Sequence, residues 1–469
     1  MTVAEVIPFS CYRPVSELAA AVAAAPYDTF SRAEAAEEIA RRPHSFLRID
    51  KPAALLPDDV DEYAPEVYAR ARQELKNDLA AGIFVTDSAG GAPSDHYYVY
   101  RLSQADHIQI GLVACVAAAD YDSSVIKRHE NTRAHKQQDR VRHIEAVEAH
   151  TGPVLLTHRS DPAVDIALQA ATTEPPLYDF IAADGTRHQV WRITDDGLTK
   201  NIRAAFNQLD SLYIADGHHR AAAAALIARE RANPQSPHNV ISKQANLSSG
   251  THPPQPLAAP DSAAHQAFAS VSPAFTRPVF DDALDPAHQP SASDPAHFLA
   301  VLFGSDQLRI HDYNRVVLHL GGYSPSQLLE LIAARFAVRT LGPAPSRPSR
   351  PGAFSMYLRG TWYGLTLPES QRPADVVEGL DVALLHSRLL APILGIDDPR
   401  SDPNIIYVGG TRGLDELAQR ADRGGGVAFA LHPPTLSELF AVADAGRLMP
   451  PKSTWFAPKP CSGLFIHRL

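Results

Sequence analysis

The amino-acid sequence predicts a mixed α/β protein, of the α+β kind, with more than one structural unit. Strand-like runs rich in β-branched and aromatic residues alternate with alanine-rich helical segments along the chain. One short apolar run, 211–215, passes through Asp216 and Gly217 directly into a strong helix-forming stretch, which is a strand–turn–helix unit. At 469 residues the chain is long enough for two or three units of about 150 residues each.

Hydrophobic periodicity predicts the individual elements in chain order. Residues 14–42 are expected to form two short helices separated by Pro26-Tyr27-Asp28, and 61–81 a third. Two β-branched and aromatic runs within 96–118 flank a polar turn and predict a hairpin. The later predicted elements are strands at 153–157, 187–193, 211–215, 298–303 and 308–320, and helices at 135–149, 221–231, 325–336, 376–393 and 435–446.

Shifts in composition divide these elements into four predicted regions. Residues 233–297 are rich in Pro, Ser, Ala and His, and we interpret them as a long excursion or linker that the fold does not need. The other three are an N-terminal α+β region over 1–118, a core over 119–232 and a C-terminal α+β region over 298–469.

Charge and cysteine content argue against several classes of protein. Forty-three Lys and Arg against 53 Asp and Glu give a net charge of −10, so we do not expect a nucleic-acid partner. The three scattered cysteines are too few for a disulfide framework, and we expect them to be inert core residues in a reducing compartment. Because the chain has no signal-peptide pattern and no long uncharged apolar stretch, we expect a cytoplasmic protein without a membrane partner.

The common catalytic signatures are missing from the sequence. It contains no G-x-x-x-x-G-K-[ST], no strand-linked G-x-G-x-x-G, no G-x-S-x-G and no C-x-x-C motif. His129-Glu130-Asn131-Thr132-Arg133 begins like the zinc motif H-E-x-x-H, but arginine stands where the second histidine should be. A zinc protease is therefore not expected.

The segment 127–140 is dense in charged residues where a strand region gives way to a helix. Free N–H groups and the helix dipole favour anions at such a point, and Arg or Lys would add charge-assisted hydrogen bonds to phosphate. The alternative is a solvated, salt-bridged helix start. The candidate phosphate ligands of this segment are His129, Thr132, Arg133, Lys136 and Arg140, and Glu130 is the candidate acid or base.

A second polar group of residues lies at the strand–turn–helix corner. The run Asp216-Gly217-His218-His219-Arg220 places an acid, two imidazoles and a guanidinium beside a glycine that would let a ligand approach the backbone. Adjacent histidines on a helix point about 100° apart and do not easily share one metal, so we favour phosphate binding or proton transfer over zinc. The alternative is that Asp216 caps the helix while the histidines make surface hydrogen bonds.

The C-terminal tail is a third candidate. Lys452, Ser453 and Thr454 could hold a second anion, or the neighbouring aromatic residues could merely clamp a terminal strand. Asp312-Tyr313-Asn314-Arg315 lies in an alternating strand, where structural hydrogen bonding is the expected role.

These motifs together resemble a widespread bacterial and archaeal family of a domain of unknown function. The resemblance rests on Pro26-Tyr27-Asp28, His129-Glu130-x-Thr132 with Lys136-x-x-Asp139-Arg140, Asp216-Gly217-His218-His219-Arg220, Asp312-Tyr313-Asn314-Arg315-Val-Val and Met449-Pro-x-Lys452-Ser-Thr-x-Phe-x-Pro-Lys459. It covers about 8–469 and implies no particular reaction.

The Asp216–Arg220 run alone is similar to the nucleotide-contacting motif of the ParB/sulfiredoxin-like superfamily. That resemblance implies a nucleotide-binding core with additional α+β segments and includes kinases of free L-serine. Sulfiredoxins need a cysteine where this chain has His218, and partition proteins add DNA-binding helices, which the net charge disfavours. The branch that remains is the free serine kinases.

The sequence thus favours a phosphotransferase that acts on a small hydroxylated metabolite such as L-serine. Its expected cofactors are Mg²⁺ and a nucleoside di- or triphosphate, and its expected partners are small molecules only. Glu130, Asp216 and His218 are the candidate catalytic residues, while Gly217, His219 and Arg220 join the phosphate ligands above. The alternatives are a phosphatase of the phosphoserine type and a nucleotide-gated regulatory protein without turnover.

Overall fold

A computed structural model describes residues 3–89, 92–233 and 294–469 of the chain. The mixed α/β class is confirmed, because helices pack on sheets that contain both parallel and antiparallel strands. Most of the predicted excursion, 234–293, lies outside the described residues. The strand that follows begins at His297, a residue that the sequence assigned to the excursion.

The α-helices of the described residues differ widely in length. They are Ala19–Val22, Arg32–Arg41, Leu47–Asp50, Pro65–Ala80, Ala118–Asp122, Ala134–Val147, Pro162–Ala170, Asp196–Phe206, His218–Ala232, Pro325–Ala333, Asp381–Leu385, Ala391–Leu394, Leu414–Gly424 and Leu436–Asp444. Short 3₁₀ turns cover Ser16–Leu18, Tyr27–Thr29, Pro52–Leu55, Glu369–Gln371 and Gly410–Arg412, and His386–Leu390 is a π-helical turn. Among the described residues, no helix combines the length and apolar character needed to cross a membrane.

The largest sheet of the described residues has nine strands. Their spatial order is Tyr178–Ile181, Arg187–Arg192, Tyr98–Gln104, His107–Ala117, His297–Gly304, Val154–His158, Leu212–Asp216 and Ile126–Lys127, with Val6–Ile7 paired to His107–Ala117 off this path. The sheet takes strands from the N-terminal, core and C-terminal regions alike. Strand His297–Gly304 lies at its centre, antiparallel to His107–Ala117 and parallel to Val154–His158.

A second sheet of six strands is antiparallel. Its order is Ala337–Gly342, Thr361–Thr366, Ala353–Leu358, Val427–Leu431, Tyr313–Val317 and Ile405–Gly409. The sequence predicted strands at 298–303 and 308–320 on either side of a turn at Gly304. The structure places them in different sheets, so they do not pair with each other.

A four-stranded sheet draws the C-terminal tail back to the N-terminal region. Its order is Phe84–Thr86, Cys11–Pro14, Ile466–Arg468 and Ala149–His150. The tail also forms a two-stranded pair between Ile310–His311 and Trp455–Phe456, and Ser88–Ala89 pairs with Ala92–Pro93. The tail therefore runs alongside elements that are more than a hundred residues away in sequence.

Both faces of the nine-stranded sheet are buried. Tyr98 and Tyr100 contribute to one core and Val99 to the other, as alternation along a strand requires. This two-sided burial explains why these strands have nearly continuous apolar runs. Helix Ala134–Val147 packs on helix His218–Ala232 through Val141 and Ile144 of the first and Ala223 and Ile227 of the second.

The three cysteines are buried, as expected. Burial raises the pKa of the Cys11 and Cys461 thiols to about 12, so they stay protonated at neutral pH. Asn314 donates to Asp312 at 2.5 Å and accepts from the Leu431 N–H at 3.0 Å, which is the structural role expected for that strand.

Candidate functional site

Two parallel strands bring the separate polar segments together. Strand Ile126–Lys127 pairs in parallel with Leu212–Asp216, with Ile126 opposite Leu212 and Lys127 opposite Tyr213. Both chain segments therefore leave the sheet at the same edge. One continues into His129 and Glu130, and the other continues into the Asp216 corner. The two segments are in contact there, because the Arg133 backbone N–H donates to His219 Nε2 at 3.1 Å.

The corner is held by a network of charges around Asp216. Lys459 Nζ donates to its Oδ1 at 2.8 Å, and Arg220 Nη2 donates to its Oδ2 at 3.2 Å. Burial alone would raise the pKa of Asp216, but Lys459 and Arg220 lower it overall, so the group is a carboxylate. Both oxygens are engaged, which favours a positioning role for Asp216.

Gly217 makes room for Arg220 rather than for an open backbone surface. Its φ of +94° is in the left-handed region, and a Cβ at this position would lie 3.1–3.3 Å from the Arg220 guanidinium. Arg220 also donates to the Pro153 carbonyl. With these contacts Arg220 stabilises the corner. Its expected contact with phosphate stays a prediction.

His129 and His218 pack against each other behind the corner. Their ring centroids lie 4.5 Å apart with the rings nearly perpendicular, and the two residues are only 1% and 6% exposed. Burial lowers the pKa of His129 to about 4 and that of His218 well below its ordinary value. Both imidazoles are therefore neutral at pH 7.

Glu130 is half-buried beside this pair. Among the described residues its carboxylate has no hydrogen bond and no ion pair within 4 Å. Burial is the largest cause that raises its pKa, with Asp216 acting in the same direction and Lys452 against it. Its oxygens are not among the fully buried unpartnered atoms of the described residues, so the unpaired carboxylate is accessible to a ligand.

Two helix N-termini lie near Glu130, whose carboxylate is within 4.8 Å of a ring nitrogen of His218. Helix His218–Ala232 starts after Gly217 and helix Ala134–Val147 starts after Arg133, and neither has a side-chain cap. Their free N–H groups favour an anion. His219 lies between the two helix starts and accepts through Nε2, so its Nδ1–H is the donor it can offer to a ligand.

Three of the predicted phosphate ligands point elsewhere. Thr132 donates to Gln137 Oε1 at 3.3 Å, and Lys136 donates to the Tyr63 hydroxyl at 2.9 Å. Arg140 is buried, pairs with Asp139 at 2.8 Å and lies over the Tyr27 ring at 4.0 Å. These contacts are structural in kind, and the expected contacts of these three residues with phosphate stay a prediction.

The C-terminal tail contributes to the same site instead of forming a second one. Thr454 Oγ1 lies 3.3 Å from His129 Nε2, and the Met449 N–H donates to the His129 carbonyl at 2.7 Å. Burial disfavours the charged Lys452 ammonium, but Tyr313 and Glu130 raise its pKa overall. Ser453, the other candidate of the tail, makes a local contact instead: it is 3% exposed and donates to the Pro450 carbonyl at 2.6 Å.

Sequence reasoning missed two residues of the site, Lys459 and Asp28. Lys459 is the ion-pair partner of Asp216, and Asp28 contributes to the electrostatic environment of His219, Lys452 and Lys459. Both were visible in the family motifs, and the chain has only eight lysines, two of them in the tail. The sequence did not reveal which distant acid the tail lysine would meet.

A cavity of about 300 Å³ adjoins this cluster. Its wall includes Arg315, which lies over the Tyr407 ring at 5.3 Å and donates to the Lys452 carbonyl at 3.0 Å. On the other side, Arg133 Nη2 donates to the Arg400 carbonyl at 3.4 Å. Cavity and cluster are thus linked by two hydrogen bonds, although His129, Glu130, Asp216 and His218 do not line the cavity themselves.

A family model described as protein of unknown function (DUF1015) matches residues 6–248 and 281–383. No curated protein matches the chain. A mutant free serine kinase in complex with ADP has 12% identity to it, a TM-score of 0.31, and alignment over 74% of this chain and 87% of that chain. C-terminally truncated SbnI from Staphylococcus aureus has 12% identity, a TM-score of 0.34, and alignment over 76% of this chain and 87% of that chain. A conserved hypothetical protein from Pyrococcus furiosus has 12% identity, a TM-score of 0.31, and alignment over 75% of this chain and 94% of that chain.

Proposed function

The chain belongs to the family described as protein of unknown function (DUF1015), and we propose that it transfers a phosphoryl group from a nucleotide to a hydroxyl of a small metabolite such as L-serine. The observation that carries the proposal is the position of Glu130. Its unpaired carboxylate lies near the starts of two helices without side-chain caps and within electrostatic reach of Lys452. A base beside a phosphate-binding surface is the arrangement that phosphoryl transfer to a hydroxyl needs.

The phosphate groups would lie between the two helix starts. The free N–H groups there, Lys452 and the Nδ1–H of His219 would supply donors and positive charge. Lys452 is well suited to this, because neighbouring Tyr313 and Glu130 raise its pKa and keep it protonated. Arg133, exposed at the rim, would attract the anionic nucleotide.

Glu130 would act as the general base toward the acceptor. As the acceptor oxygen bonds to the terminal phosphorus, the bond from that phosphorus to the nucleotide oxygen breaks, and the hydroxyl proton passes to Glu130. The products are the phosphorylated metabolite and the nucleotide shortened by one phosphate. Water in place of the hydroxyl would give the phosphatase reaction with the same groups.

Mg²⁺ fits this scheme as part of the nucleotide complex. Asp216 has both oxygens engaged, by Lys459 and Arg220, so it offers no site for the ion. Mg²⁺ commonly binds substrate phosphates and keeps several waters, which needs few protein ligands. The adjoining cavity, with Tyr407 and the buried Arg315 on its wall, would take the organic part of one of the two substrates.

The test is direct. Purified protein is incubated with Mg²⁺ and ATP, ADP or CTP, together with pooled amino acids and sugars, and followed by phosphorus NMR. A new phosphomonoester signal that Glu130→Gln does not produce supports the proposal and identifies the acceptor. Release of inorganic phosphate from phosphoserine in a parallel sample would indicate the phosphatase. Nucleotide binding without turnover under all conditions would contradict both and favour the regulatory protein.

A further inference from the structure

His129, Glu130 and His218 form a cluster whose composition suits a metal ion. One ligand atom from each residue lies within 4.8 Å of the others, and among the described residues this is the one group of three such side chains that does so. Two segments that are almost ninety residues apart in sequence contribute to it. The parallel pairing of their strands is what brings them together.

Each of the two imidazoles has one ring nitrogen that no protein group uses. His129 Nδ1 and His218 Nε2 are both buried and have no hydrogen-bond partner among the described residues. The Ile214 carbonyl lies near His129 and acts to raise its pKa, but it forms no hydrogen bond with Nδ1. Buried polar atoms are nearly always hydrogen-bonded. Two buried nitrogens without a partner, next to an unpaired carboxylate, therefore indicate a ligand that is not part of the chain.

The surroundings of His129 resemble those of a metal ligand. Its other nitrogen, Nε2, lies 3.3 Å from Thr454 Oγ1. A ligating histidine usually uses its second ring nitrogen in such a contact, which fixes the ring and directs the free lone pair at the ion. Sequence reasoning discounted a metal here because adjacent His218 and His219 diverge. The second histidine is instead His129, from the other segment.

We propose that His129, Glu130 and His218 bind one divalent first-row transition ion, such as Zn²⁺, Mn²⁺ or Fe²⁺. Two imidazoles and one carboxylate are the donor set of catalytic zinc sites and of non-haem iron sites, whereas Mg²⁺ prefers oxygen ligands alone. Three protein ligands leave positions open for water or substrate. Glu130 has two oxygens, so binding through one leaves the other able to accept a proton. The site does not depend on the proposed phosphotransferase activity.

Metal binding by the full-length protein tests this without any nucleotide. The chain is stripped with a chelator and titrated with Co²⁺, whose visible absorption reports its coordination, and Zn²⁺ is then added as a competitor. One equivalent of Co²⁺ displaced by one equivalent of Zn²⁺ is expected for the wild type. His129→Gln, His218→Gln and Glu130→Gln should each weaken binding by at least ~10-fold. His135→Ala, which changes an exposed histidine outside the cluster, should bind like the wild type.

The outcomes separate this inference from the proposed function. A stripped wild type that takes up no Co²⁺ or Zn²⁺ would refute the metal site, even if phosphoryl transfer with Mg²⁺ were observed. So would loss of binding in His135→Ala but not in the three cluster variants. Circular dichroism of each variant checks its folding. If a histidine variant does not fold, the half-buried Glu130→Gln and the wild-type titration still decide the question.

Discussion

Replacing Gly217 by alanine should destabilise the protein by about 3 kcal/mol, through two effects that can be separated. A non-glycine residue in the left-handed region costs about 1–2 kcal/mol, and Gly217 has a φ of +94°. The added Cβ would also lie 3.1–3.3 Å from the Arg220 guanidinium, which would have to move away from Asp216. Weakening that charge-assisted bond adds up to about 1.5–3 kcal/mol.

The chain contains a matched control for the backbone effect. Gly82 has a φ of +68°, but a Cβ there would meet nothing within 4 Å. Gly82→Ala should therefore cost only about 1–2 kcal/mol. The gain from a less flexible unfolded chain is the same for both substitutions and cancels in the comparison. The difference between the two variants isolates the contact with Arg220.

Urea unfolding followed by circular dichroism measures the difference. The excess cost of Gly217→Ala over Gly82→Ala should vanish in an Arg220→Ala background, because the guanidinium is then gone. Equal costs in the wild-type background would refute the view that Arg220 fills the space beside Gly217. If Gly217→Ala then abolished nucleotide binding, the glycine would serve ligand approach, as the sequence alone suggested.

Three further predictions concern the site and the helix that begins at Asp381. Glu130→Gln should lower turnover by ~10²–10⁴-fold, because the amide keeps the shape of the side chain but cannot accept a proton. It should change the free energy of unfolding by less than about 1 kcal/mol. Unchanged turnover would show that another group is the base. His219→Ala should raise the Kd for nucleotide in a calorimetric titration, since it removes a donor at the helix starts, whereas the same change at exposed His135, on the outer side of the helix start, should leave the Kd unaltered. Burial raises the pKa of Asp381 to about 6, so the folded state favours its protonated form. The stabilisation that this gives the folded state is complete below about pH 4 and is lost as the pH rises through 6. The loss amounts to about 3 kcal/mol, and the Tm of the wild type should therefore fall relative to that of Asp381→Asn between pH 4 and 7; parallel profiles would contradict the assignment.

The local elements of the fold could be predicted from the sequence because their causes are local. The stripe Val141, Ile144 and Val147 indicated the helix that the structure has at Ala134–Val147, and all three side chains are buried. The polar corner after the strand Leu212–Asp216 was visible for the same reason, since a strand, a glycine and an alanine-rich helix follow one another directly in the chain. The family motifs in addition indicated membership, which the match over most of the chain confirmed.

Partners that are distant in sequence were decided only by the tertiary structure. No local pattern shows that Lys459 will pair with Asp216, that His129 rather than His219 will lie against His218, or that the tail at Lys452–Thr454 will join the site instead of forming another. Such contacts depend on which strands pair and in which direction. Here the parallel register of Ile126 with Leu212 is the deciding fact, because it makes two chain segments leave one sheet edge side by side.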